Sequence, residues 1–144
     1  MANIGVIAGI VFLAYEIRQN TAAFQMQAAD DYVASTIEMN NVISQNAELA
    51  DLVFRHSRGD TDLTDVEDFR VRMQYANLLR NWNRLYFLRQ RGSLDETFWN
   101  IHSADMRRNL QTPGVVEYWQ SRRDQFDPGF NRLVEEAMSA QSAE

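Results

Sequence analysis

No glycine or proline interrupts residues 10–58, and no charged residue precedes Glu16. These two facts constrain the fold more than any motif in the chain. A stretch of this length without a breaker, carrying apolar residues at helical spacing, reads as helix. Its uncharged start, MANIGVIAGIVFLAY, is apolar on all sides from Ile4 to Tyr15. A helix of that kind must be covered by protein or by lipid. The pattern predicts one helix from about residue 3 to about residue 44, ~60 Å long at ~1.5 Å per residue. Past the charged break at Glu16 and Arg18, Ala22, Met26, Ala29, Val33 and Ile37 recur every three or four residues. They define the expected inward stripe of the second part.

As a helix, residues 1–15 reach ~22 Å, whereas the hydrocarbon core of a bilayer is ~30 Å thick and needs about 20 residues. The run is too short to span alone. It has no basic residues before it and no small-x-small cleavage site directly after it, so it is not a secretory signal. Three placements stay open: a buried core helix, a helix in the membrane interface, or the C-terminal part of a transmembrane helix that begins upstream of Met1. The all-round apolar character favours the membrane. We therefore assign residues 1–17 to a membrane-associated segment, 18–138 to a helical domain and 139–144 to a frayed tail. Gly5 and Gly9 stand four apart. Small residues at that spacing let two helix backbones approach closely, so they are the expected helix-packing pair for self-association.

The remaining elements follow from punctuation. Asn40, Asn41 and Ser44 weaken the helical pattern and place a break there. A short helix over 47–57 turns Leu49, Leu52, Val53 and His56 inward, and Gly59 ends it. Thr64 and Glu67 form a capping box that opens a helix over about 65–91. Val66, Phe69, Met73 and Ala76 are its expected stripe, extended by Leu79, Trp82 and Tyr86 with Leu78 and Leu85 as further candidates, and Gly92 stops it. Ser93 and Glu96 suggest a second capping box, opening a helix over about 94–110. Phe98, Trp99, His102, Met106 and Leu110 share one broad face of it. Thr112-Pro113 and Asp127-Pro128 each place a proline in a first helical turn. They open two last helices that end near Gln125 and Met138. No strand-like alternation competes, and short connections favour antiparallel neighbours. The expected class is an all-α antiparallel helical bundle with a long N-terminal helix.

The composition excludes several chemistries. All 14 basic residues are arginine, against 20 acidic residues, for a net charge of −6. That balance disfavours nucleic acid as a partner, since such binders present a positive face to phosphate. Without cysteine there is no thiolate zinc site and no thiol nucleophile. Without lysine there is no Schiff base and no Walker-type phosphate lysine. HExxH, GxSxG and glycine-rich phosphate loops are absent as well. We assign no catalytic residue, no metal site and no cofactor. His56 and His102 fall on different helices and read as packed residues with ordinary hydrogen bonds.

Two clusters are candidate interaction sites. Asn77, Arg80, Asn81 and Arg84 stand at i, i+3, i+4 and i+7, so they share one helix face. Arginine forks suit carboxylates, from a ligand or from a neighbouring helix. Asp30, Asp31 and Glu38 on the first helix are the candidate internal partners. The cluster reads either as an anion or partner site between helices or as an internal ion-pair network. In the second cluster, Trp119, Arg122, Arg123 and Phe126 occupy neighbouring faces. They read as a hot spot for a protein partner or as the anchor of the last helix.

Three stretches carry a resemblance: GVIAGIVFLAYEIRQNT at the start, RNWNRLYFLRQRGSLDETFW in the middle and PGVVEYWQSRRDQFDPGF near the end. Nearly the whole chain resembles a widespread group of small bacterial proteins with a short membrane helix running into IRQN, followed by a helical domain. The resemblance implies a membrane helix and a helical domain and transfers no catalytic or binding residue. Members usually have residues before the apolar run, which implies that the natural chain extends upstream of Met1. The expected function is a non-enzymatic, membrane-anchored interaction or scaffold module that self-associates through its first helix. Its expected place is the bacterial inner membrane, with Arg18 favouring a cytoplasmic helical domain. The alternative is a sensor or binding domain for a small anionic ligand, with Arg80 and Arg84 as anchors.

Overall fold

Each helix boundary has a local cause. A computed structural model describes residues 3–141, and every regular element among them is helical. The long helix α1 runs Asn3–Ser44. Asn46 then caps α2 (Ala47–Ser57), its Oδ1 accepting the Leu49 N–H at 3.0 Å. The Thr64–Glu67 capping box forms as expected and opens α3 (Asp65–Gln90). Helices α2 and α3 both end before a glycine of positive φ, Gly59 at 92° and Gly92 at 67°, a conformation that costs other residues dearly.

The next cap differs from expectation. Asp95, not Ser93, opens α4 (Glu96–Asn109), accepting from the Thr97 and Phe98 N–H groups at 2.9 and 3.2 Å. A carboxylate is the stronger acceptor at a helix N-terminus, and it is held below its ordinary pKa by those backbone donors. Glu96 pairs instead with Arg89 at 3.2 Å. Pro113 begins α5 (Pro113–Arg122), which passes through a single 3₁₀ turn, Arg123–Gln125. Asp127 then caps α6 (Pro128–Gln141) through the Gly129 N–H at 2.7 Å. Helix α6 continues to Gln141, and residues 142–144 of the expected frayed tail lie outside the described residues.

The fold is an all-α bundle with α3 at its centre, in contact with each of the other five helices. One core gathers Leu52, Leu79, Trp82, Met106, Phe130 and Val134 among others, and a smaller one joins Tyr32 to Leu85, Leu94 and Trp99. Val66 and Phe69, expected inward on α3, are exposed. They lie in the first turns of α3, and the buried face starts at Val71 and continues through Tyr75, Leu79 and Trp82 to Leu85.

Helix α1 shows the largest correction. Met26, Val33 and Ile37 of the expected inward stripe are exposed. The docked face is shifted by about one residue from it: Gln25, Ala28, Tyr32, Ser35, Thr36, Met39 and Ile43 are buried or half-buried, and of the expected stripe only Ala29 joins them. Tyr32 is buried between α3 and α4, edge-on to Phe98 and His102 with ring centroids 5.9 and 5.0 Å away. A large ring with polar helpers that find partners outweighs a stripe of alanines, because burial scales with area. Residues 4–24 are exposed on every side, so the part of α1 that stands clear of the bundle includes the polar stretch Arg18–Thr21 as well as the apolar run. No helix among the described residues is long and apolar enough to cross a membrane. The expected transmembrane helix is therefore not found within residues 3–141, because Glu16 and Arg18 close the apolar run too early.

Candidate functional site

The Asn77–Arg84 face of α3 lies against α1. Together they line an open groove of about 360 Å³. Ser35, Glu38, Met39 and Val42 come from α1, and Gln74, Asn77, Arg80, Asn81 and Arg84 from α3. The four singled-out residues divide by depth. Asn81 is buried, and its Nδ2 donates to Thr36 Oγ1 at 3.0 Å. Thr36 in turn donates to the Tyr32 carbonyl at 2.9 Å. This chain of bonds sets the register of α1 on α3. Burial pushes the Tyr32 hydroxyl up to about 12, with Thr36 acting the other way, so it stays neutral at physiological pH.

Arg84 donates to Asp31 at 3.4 Å in a half-exposed pair. Of the three carboxylates expected as partners, Asp31 alone is used; Asp30 and Glu38 pair with no arginine among the described residues. Arg80 and Asn77 are exposed and make no hydrogen bond or ion pair within the described part of the chain. The groove therefore holds one uncompensated guanidinium and one free carboxylate, Glu38, with amides between them and Met39 and Val42 as an apolar wall. Such a set can grip a carboxylate or phosphate through Arg80. Ser35 has no hydrogen bond to a base there, so the groove lacks an activated nucleophile.

The second cluster is divided too. Trp119 is buried, and its Nε1 donates to Asn131 Oδ1 at 2.9 Å. Phe126 is buried against Phe130. Arg123 lies over the Trp119 ring, 5.2 Å from its centroid, and pairs with Glu135. These residues fasten α6 to α5, which leaves exposed Arg122 as the member free to meet a partner. The histidines lie against different cores. His56 Nδ1 is 3.0 Å from the Tyr75 hydroxyl, while His102 packs on Phe98 with centroids 4.2 Å apart. Burial lowers the His102 pKa from 6.5, against the opposite pull of Asp105. Among the described residues no three His, Asp or Glu side chains cluster as a metal site would require.

The largest unusual surface is the arm. Ile4, Ile7, Ile10, Val11, Phe12 and Leu13 are each more than half exposed. Gly5 and Gly9 have open space where a Cβ would stand, so none of the described residues occupies the notch they form. Sequence reasoning missed Ser35, Met39, Val42 and Gln74 as groove walls. Their signal was the phase of the docked α1 face, which Tyr32 and Thr36 set. Compared with protein-family models, with curated proteins and with solved structures, the chain has no match.

Proposed function

We propose that the protein is a non-enzymatic, membrane-anchored helical interaction or scaffold module. The observation that carries this reading is the arm. Residues 4–17, apolar apart from Glu16, are exposed around the whole helix and outside the bundle. At ~25 cal/mol per Å² of apolar surface, leaving such an arm in water is costly, so it calls for a nonpolar cover. Its ~21 Å length reaches into the hydrocarbon layer without crossing it. In this reading the arm embeds in the bacterial inner membrane, and Arg18 holds the bundle on the cytoplasmic side. The chain would then belong with the bacterial proteins whose membrane helix runs into IRQN. The Gly5–Gly9 notch is the proposed contact through which two arms associate.

Cell fractionation tests it. The protein should sediment with membranes and require detergent for release. Ile7→Asp with Val11→Asp should move it to the supernatant without changing the thermal unfolding of the bundle, and Gly9→Ile should shrink the oligomer. A protein that is monomeric and free in the supernatant without detergent would sink the proposal.

A second reading is favoured by unpaired Arg80 beside the α1–α3 groove: a binding domain for a small anionic ligand, with Arg80 as its anchor. Arg84 is a weaker anchor because Asp31 already engages it. Loss of ligand-induced stabilisation in Arg80→Gln, with Arg84→Gln retaining it, distinguishes the two arginines.

A further inference from the structure

A second groove lies at the foot of the arm. It encloses about 540 Å³ between α1 and the turn from α3 to α4, with Thr21, Phe24, Gln25, Leu88, Arg91 and Ser93 among its walls. Gln25 Nε2 donates to the Gly92 carbonyl at 3.0 Å and holds that turn against α1. Arg91 lies over the Phe87 ring, 4.4 Å from its centroid, and has no carboxylate partner among the described residues. Arg84 also borders the groove, but Asp31 compensates its charge.

Arg18 is not one of the groove's walls but lies on the same side of α1, toward the arm. It precedes Thr21 by three residues and Gln25 by seven, so all three share one face of α1, with Arg18 ~10 Å further out along the axis. It too has no carboxylate partner among the described residues. Glu16, the nearest acidic residue in sequence, points to the opposite side, ~200° around the helix. One uncompensated guanidinium, Arg91, thus lines a groove whose other wall, Phe24 and Leu88, is apolar, and a second, Arg18, lies on the same helix face just beyond it.

Depth adds a second constraint. Arg18 is the first cation after the apolar run. An embedded arm puts it at the hydrocarbon boundary and the groove ~5–10 Å further out, in the polar headgroup layer. We propose that this groove binds the phosphodiester headgroup of an anionic phospholipid, Arg18 and Arg91 gripping the phosphate from its two ends and Phe24 and Leu88 packing along the headgroup. Planar guanidinium forks match phosphate oxygens in pairs. The proposal rests on the membrane reading of the arm and names the lipid class that reading leaves open.

Vesicle flotation of the full chain tests it, with phosphatidylcholine alone and with an equal-part mixture of phosphatidylcholine and phosphatidylglycerol. Binding to the mixture should exceed binding to the neutral vesicles. Arg18→Gln and Arg91→Gln should each remove about fivefold of that excess. Arg58→Gln makes the same charge change on α2's C-terminal side and should leave the excess intact. Equal binding to both vesicles, or an equal loss in Arg58→Gln, overturns the headgroup site while leaving the membrane reading in place. Binding to neither vesicle overturns both. A further arm adds millimolar inorganic phosphate to lipid-free protein. Thermal stabilisation that a variant combining Arg18→Gln with Arg91→Gln loses, together with equal vesicle binding, would assign the groove to a soluble phosphate and overturn the lipid assignment.

Discussion

The two halves of α1 belong to one unbroken helix and live in different surroundings. From Gln25 onward the helix is fastened to the bundle by Tyr32, by the Asn81–Thr36 hydrogen bond and by Gln25 on Gly92. Before Gln25 it touches solvent on all sides, although it holds the most apolar residues in the chain. The bundle thus gains its grip on α1 from a few specific contacts along a mixed polar face. The strongly hydrophobic half is left without a partner among the described residues. Hydrophobicity in this molecule divides into a part that folds the chain and a part directed outside it.

The contrast is sharpest for one residue type placed in both regions. Phe130 is fully buried in the larger core and Phe12 is exposed on the arm. Phe130→Ala should cost about 3–5 kcal/mol in chemical denaturation, whereas Phe12→Ala should stay within ~0.5 kcal/mol in lipid-free solution. A comparable loss at Phe12 would show that the arm packs on the bundle. A smaller effect is expected at the groove, where two asparagines differ in depth. Asn81→Ala removes the bond to Thr36 and should cost about 1 kcal/mol, while Asn77→Ala, exposed and unbonded, should leave stability unchanged. Equal effects would remove the distinction between the docking face and the open face of α3.

The smallest effect concerns pH. Burial lowers the His102 pKa below its ordinary 6.5 in the folded protein. The unfolded chain then binds this proton more readily, so His102 should weaken the fold as pH falls through about 6.5. Denaturant midpoints measured at pH 7.5 and pH 5.5 should differ less in His102→Gln than in the parent chain. An unchanged difference would place the acid sensitivity elsewhere.

Much of this was legible in the sequence. The breaker-free run announced a long helix, and Asn40, Asn41 and Ser44 marked where α1 ends. Thr64 with Glu67, Gly59 and Gly92, and the two prolines after Thr112 and Asp127 marked most helix ends to within a few residues. Those are local effects of backbone chemistry, which neighbouring residues determine. The phase of α1 was not legible, because it depends on which side chains of α3 and α4 receive Tyr32 and Thr36. The cap of α4 was misplaced by two residues because Ser93 and Asp95 both fit the pattern and only the stronger acceptor is used. At the candidate site, the shared face of Asn77, Arg80, Asn81 and Arg84 was readable from spacing. Its division into a buried bond, a paired arginine and a free arginine was not, since that depends on how closely α1 approaches.

The most direct test of the central claim is amide hydrogen exchange of the full chain with and without phospholipid vesicles. The claim is that lipid covers the arm and leaves the bundle as it is. Vesicles should therefore raise protection across residues 6–17 while protection over 71–85 stays the same. Protection over 6–17 that is already as high as in the core, and that vesicles leave unchanged, would contradict it.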